Sequence, residues 1–274
     1  MPALSVANGY LWKCWRDTRS TFLIILSAVL VVGAFGVYVA FDPFGWIAAK
    51  PVDLQVQWQI APQALLGTML LSLPFAGMVL GALGVGTEFE RGTADFLLTR
   101  PRSRRHLLWT SWALGAAQMA LLVLVSNLFR LAPVGPGRFG EGSLRNFLRP
   151  PTVHRSVTLS HRYPVGSFED FLGPVLVLCT MALVFYSLTY LMTTLARSGR
   201  NGTGLALGVM IAYGSVFATL RNWYDIRIPF FPVDLIQLAF PAFDSASMAI
   251  VAGWLAVCVA LTLVAQLSFE RAEI

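Results

Sequence analysis

Charge is the scarcest property of this sequence. Aspartate, glutamate, lysine and arginine make up 12% of its 274 residues, against about 25% in an average soluble domain. Lysine is nearly missing, present only as Lys13 and Lys50. A phosphate-binding P-loop needs lysine in the pattern G-x-x-x-x-G-K-[ST]. Neither lysine stands in that context, so the chain lacks this means of binding nucleotide. Cysteine is reduced to Cys14, Cys179 and Cys258, an odd and scattered set without metal-ligand spacing. That excludes a disulfide framework and leaves small apolar filler. His154 and His161 have no thiol or carboxylate partners at useful spacing, which excludes a metal site there. The net charge of +6 is not gathered into a basic patch among readable elements, so nucleic acid is excluded as a partner.

Apolar residues, by contrast, make up 56% of the chain. A single globule of this size cannot hide that much apolar surface, so much of its solvent is lipid. A membrane-crossing helix needs about 20 mostly apolar residues. Six stretches qualify: 21–41, 62–86, 107–129, 170–195, 203–220 and 247–268. The first is too long, and lacks the cleavage pattern, to be a signal peptide. These spans predict an all-α polytopic membrane protein, one domain over residues 1–274 with six transmembrane helices. Residues 8–20 interleave Tyr10, Leu11, Trp12 and Trp15 with Lys13, Arg16 and Arg19. Such a mixture predicts a short interfacial helix ahead of the first span, anchored in the lipid bilayer. The eight-residue piece VDLIQLAF, between Pro232 and Pro241, is too short to cross and predicts an interfacial or re-entrant helix.

Basic residues fix the orientation. An N-in, C-in arrangement puts eleven of them on the cytoplasmic side, among them Lys13, Arg16, Arg19, Arg197 and Arg200. Six of the nine outside fall in or beside the one long outer loop, 130–169. Its arginines could attract anionic headgroups or an acidic polymer, or simply be solvated. Alternation within it, VHRSVTLSHRY from Val153 to Tyr163, predicts a short strand or hairpin.

No Asp, Glu, Lys, Arg or His lies well inside a span. Intramembrane ionisable groups mark proton relays and ion paths. Their absence argues against a proton-coupled transporter or ion pump, and no nucleophile, metal set or acid pair points to a membrane-embedded enzyme.

One segment carries more pattern than orientation requires. Between the second and third spans the chain reads EFERGTADFLLTRPRSRRHLLW, from Glu88 to Trp109. Two acids and a base lead into Gly92 and Thr93, an amphipathic turn follows with Leu97 and Leu98, and Pro101 stops it. The run E-F-E-R-G-T-x-x-x-L-L-T-x-P-x-S-R resembles the signature of ABC-2-type permeases, the membrane subunits of bacterial ABC exporters. The resemblance implies that segment 88–104 is a cytoplasmic coupling helix seated in a cleft of a separate ATP-binding subunit. It carries a docking role onto Glu88, Glu90, Arg91, Gly92, Thr93, Leu97, Leu98, Pro101, Ser103 and Arg104. The six spans and the closing FERAEI fit the same family. The family commonly begins the next span with a lysine, where this chain has Trp109, Thr110 and Ser111.

The resemblance further implies two ATP-binding subunits, a second permease copy or homologue, and residence in a prokaryotic inner membrane. ATP and Mg would be bound by the partner, with no cofactor and no catalytic residue in this chain. An ATP-independent secondary transporter, or a non-transporting sensor or assembly subunit on the same scaffold, are the alternatives. Thr180, Ser187, Tyr190 and Thr194 share one face of the fourth span. They could line a pathway for an apolar or amphipathic substrate, or bond their own and neighbouring helices. Gly77 and Gly81 in the second span, and Gly204 and Gly208 in the fifth, make small-residue faces for close contact within one chain or between two.

Overall fold

The computed structural model describes residues 2–41, 72–92, 104–129, 168–224 and 245–271. Among them the chain is all-helical. Its elements are α1 (Pro2–Phe41), α2 (Ser72–Leu83), α3 (Gly86–Glu90), α4 (Arg104–Leu128), α5 (Phe168–Ala196), α6 (Gly199–Tyr224) and α7 (Ser245–Glu270). Four helical stretches are long and apolar enough to cross a membrane: Gly9–Tyr38, Arg105–Leu128, Val175–Ala196 and Met248–Glu270. Residues 62–71 of the second expected span, the outer loop from Arg130 to residue 167 and the piece VDLIQLAF lie outside the described residues.

The interfacial helix expected at 8–20 is not a separate element. Residues 2–41 form one helix of 40 residues, about 60 Å long and twice the thickness of the hydrocarbon layer. The reason lies in its buried stripe. Cys14, Thr18, Phe22 and Val29 are all buried and repeat at near-helical spacing on both sides of the Ser20–Thr21 boundary, so one face packs continuously against α4. Trp12 and Leu11 point away from it and are exposed.

α5 is the central post. Residues 184–191 are buried on all sides, and α4, α6 and α7 pack along it. The main core gathers Leu80 of α2, Leu108 and Met119 of α4, Ala182 and Tyr186 of α5, and Phe269 of α7. α7 buries one stripe, Val251, Cys258, Thr262, Ala265 and Phe269, and exposes Leu255, Val259 and Leu263. Exposed leucine and valine on a helix of this length is a lipid-facing surface.

Lipid supplies no hydrophobic force between two helices, so close packing must hold them together. α2 meets α5 through glycine. A Cβ added at Gly77 would stand 2.6 Å from the carbonyl oxygen of Ala182, and one at Gly81 2.6 Å from that of Tyr186. The four-residue step on both helices sets the two backbones side by side over two turns. Gly204 and Gly208 of α6 differ, since a Cβ at either would meet nothing within 4 Å. The first glycine face is used within the chain, and the second meets no neighbour among the described residues.

Gly81→Ala is therefore expected to destabilise the detergent-solubilised protein by about 1–3 kcal/mol through overpacking. Gly208→Ala is expected to be neutral or to add up to about 1 kcal/mol from helix propensity. Thermal unfolding of both variants checks this, and equal losses at the two sites would contradict the assignment of the faces.

Candidate functional site

The candidate site is the end of the bundle where α2 runs out into α3. Gly84 and Val85 form the joint, and α3 opens as the hydrogen bonds from Glu88 and Phe89 N–H to the Val85 carbonyl close, at 3.1 and 3.3 Å. Thr87 Oγ1 donates back to the Leu83 carbonyl at 2.9 Å, stitching α3 onto the end of α2. Gly92 stops the helix. Its φ of +66° is left-handed, a conformation that glycine adopts at helix C-termini without the Cβ penalty.

Short as it is, α3 is held from three sides. Glu88 is buried and its carboxylate takes Lys13 Nζ of α1 at 2.6 Å and 2.8 Å. Arg91 reaches Asp17, one turn further along α1, at 3.0 Å. Glu90 Oε1 accepts the backbone N–H of Arg200 at 3.2 Å, in the first turn of α6. Ser198 Oγ accepts the N–H of Asn201 in the same turn. α6 thus begins with two of its free N–H groups capped, one by its own serine and one by a carboxylate from another helix. The turn between α5 and α6 is only Arg197 and Ser198, with Arg197 at φ 50°. Phe89 adds an edge-on contact to Phe269 of α7, ring centroids 6.2 Å apart.

These links are unequal. The Lys13 side chain is 29% exposed and that of Glu88 only 7%, so the pair is largely removed from water. Arg91 is 58% exposed, and such surface pairs contribute about 0–1 kcal/mol. Removing one partner of a buried pair costs about 3–5 kcal/mol. The half-buried Lys13–Glu88 bridge belongs between these limits and dominates the anchorage.

The far side of the segment is fastened too. At the start of α4, Arg105 Nε donates to Glu270 of α7 at 2.6 Å. Gln266 donates to the same carboxylate at 3.0 Å and accepts from Trp109 Nε1 at 2.9 Å. Residues 93–103 therefore join two anchored points, α3 before them and the α4–α7 contact after them.

Of the residues expected to dock a partner, Glu88, Glu90, Arg91 and Gly92 lie together on α3 and its end. Arg104 opens α4. Thr93, Leu97, Leu98, Pro101 and Ser103 lie outside the described residues. Glu88 faces inward, and Glu90, though exposed, caps α6, so both acids are braces within the chain. Lys13, Asp17, Gln266 and Glu270 complete the network and were not singled out as site residues in the sequence. A buried partner 75 positions away leaves no local trace, although the closing FERAEI did contain Glu270.

The hydroxyl face of α5 is interior. Thr180, Ser187, Tyr190 and Thr194 are all buried. Thr180 and Thr194 donate to their own helix, to the carbonyls of Leu176 and Leu191. Ser187 accepts from Trp112 Nε1 at 3.1 Å, and Tyr190 donates to the Leu108 carbonyl at 3.0 Å. In this conformation Ser187 and Tyr190 are closed against α4. No cluster of three His, Cys, Asp or Glu side chains able to hold a metal occurs among the described residues.

A family model for the ABC-2 family transporter protein matches residues 11–274. No curated protein matches the chain.

Lys13→Ala and Glu88→Ala are expected to destabilise the protein singly, and their double-mutant cycle to give a coupling of about 1–3 kcal/mol. The Asp17–Arg91 cycle is expected to give about 0.5 kcal/mol and to vanish at high salt. Thermal unfolding in detergent measures both, and a larger coupling for the exposed pair would reverse the ranking.

Proposed function

The chain belongs to the ABC-2 family of transporter proteins, and from that premise we propose that it is the membrane permease subunit of an ATP-driven exporter. Six spans cross a prokaryotic inner membrane with both termini in the cytoplasm, which puts α3 and segment 88–104 on the cytoplasmic face. Two ATP-binding subunits, which hold the ATP and Mg, dock there. A second copy of this chain or a homologue completes the pathway, and the cargo is apolar or amphipathic.

The observation that carries this reading is the anchorage of the segment. An element that only joined two spans would need no fastening at either end. Here α3 is tied to α1 through Lys13–Glu88, to α6 through the Glu90 cap, and to α7 through Phe89 and Phe269. A push on residues 93–103 would reach three helices through these contacts, because packed elements shift as units. The nearly lysine-free sequence supports an ATPase on a separate chain, and the uncharged spans support a drive from outside the membrane.

In this scheme the acids of the signature transmit and the leucines dock. Leu97 and Leu98 enter the partner's cleft, while Gly92 lets the chain turn towards it. The hydroxyl face of α5 would line a passage only once α5 and α4 part, which breaks the Trp112–Ser187 and Tyr190–Leu108 hydrogen bonds. Those bonds then act as a closed-state latch.

Leu97→Asp is expected to weaken binding of the ATP-binding subunit by about 2 kcal/mol, or roughly thirtyfold, with membrane insertion intact. Lys13→Ala is expected to keep the subunit bound but lower substrate-stimulated ATPase activity. Co-purification and ATPase assays of the reconstituted complex read both. Unchanged stimulated activity in Leu97→Asp would overturn the docking role, and loss of binding in Lys13→Ala would overturn the division between docking and transmission.

A further inference from the structure

α6 and α7 both lie along α5 and barely touch each other. They leave a cavity of about 170 Å³ between them, floored by α5. Phe185 and Leu188 form its floor, Val209 and Met210 of α6 one wall, and Trp254 and Val257 of α7 the other. Its wall exposes no polar surface. Val209 and Val257 are 42% and 41% exposed, so the mouth opens outward, onto the same side of α7 as the exposed Val264.

We propose that this cleft holds the hydrocarbon tail of a bilayer lipid. Size and chemistry decide the occupant. Apolar cavities of about 150 Å³ stay dry and take up benzene-sized hydrocarbons, so water does not fill this one. A polar solute would lose its hydrogen bonds against such a wall. A helix of a second copy is about 10–12 Å across, too wide for the space. Depth decides which part of a lipid enters. Trp254 stands nine residues from Ser245, and Leu261, also on the wall, nine from Glu270. Each is therefore about 14 Å from its helix end, near the middle of the bilayer. Headgroups do not reach that level, and chain ends do. Met210, and Met181 beside it, have flexible side chains that adapt to a disordered chain. The cleft therefore selects the tail and is indifferent to the headgroup. This requires that the helices cross a bilayer and does not depend on ATP drive.

The test is photolabelling of the full-length protein in phosphatidylcholine vesicles doped with a phosphatidylcholine that carries a diazirine near the end of one acyl chain. Mass spectrometry maps the adducts. They are expected to concentrate on the cleft, at least fivefold over exposed Ile24 and Val31 of α1. Val209→Phe and Val257→Phe, which fill the cleft from opposite walls at half-exposed positions, are each expected to lower cleft labelling at least fivefold and leave α1 labelling unchanged. A diazirine lipid with a phosphatidylglycerol headgroup is expected to label within twofold of the first. Labelling of the wild type no denser than on Ile24 and Val31 would mean ordinary boundary lipid and overturn the proposal, whether or not the filled variants fold. So would labelling that survives both variants, or a strong headgroup preference. Disulfide trapping of Val257→Cys between two copies, with loss of adducts, would assign the cleft to a second chain instead.

Discussion

The approach of α2 to α5 across Gly77 and Gly81 is the constraint on which the rest of this structure depends. In lipid, helices gain little from hiding apolar surface from one another, so contact distance decides which pairs stay together. Without side chains at these two positions the α2 backbone lies against the carbonyls of Ala182 and Tyr186. α5 in turn seats α4, α6 and α7. The direction in which α2 leaves the bundle is thereby set, and with it the placement of α3.

Everything polar at that end follows from the placement. α3 is five residues long, too short to be stable alone, yet it lies where Lys13, Asp17 and the first turn of α6 converge on it. Glu88 becomes the buried half of an ion pair, and Glu90 a cap for a helix that begins more than a hundred residues later. Arg105 and Glu270 close the other side. The described residues on either side of the stretch between are fixed by contacts that stabilise the bundle. Firm flanks of this kind suit the coupling role proposed above, because yielding ones would absorb the displacement they are meant to pass on.

Much of this could be read in advance. The apolar runs located three of the four long apolar stretches, Arg105–Leu128, Val175–Ala196 and Met248–Glu270, to within about five residues. The first begins at Gly9 and not at the expected 21. The small-residue spacing identified both glycine faces. The spacing of Cys14, Thr18, Phe22 and Val29 was also legible, and would have joined the expected surface helix to the first span had it been weighed against the interleaved tryptophans and cations. Which glycine face works within the chain was not legible, because Gly77–Gly81 and Gly204–Gly208 have the same local pattern and differ only in what stands opposite. Nor was the inward direction of Glu88. A carboxylate between Thr87 and Phe89 in a charged run reads as exposed until Lys13, the only lysine before the first span, is brought against it by tertiary packing.

The docking role of segment 88–104 is tested most directly by a photocrosslinking amino acid in place of Leu97, with a matched probe at the exposed Leu205 of α6 as reference. Irradiation in membranes that also contain the ATP-binding partner, followed by mass spectrometry of the adducts, gives the answer. The expected result is a covalent product between position 97 and a P-loop ATPase, absent from position 205. A probe at position 97 that labels only lipid or this chain itself, while position 205 captures the ATPase, would contradict it.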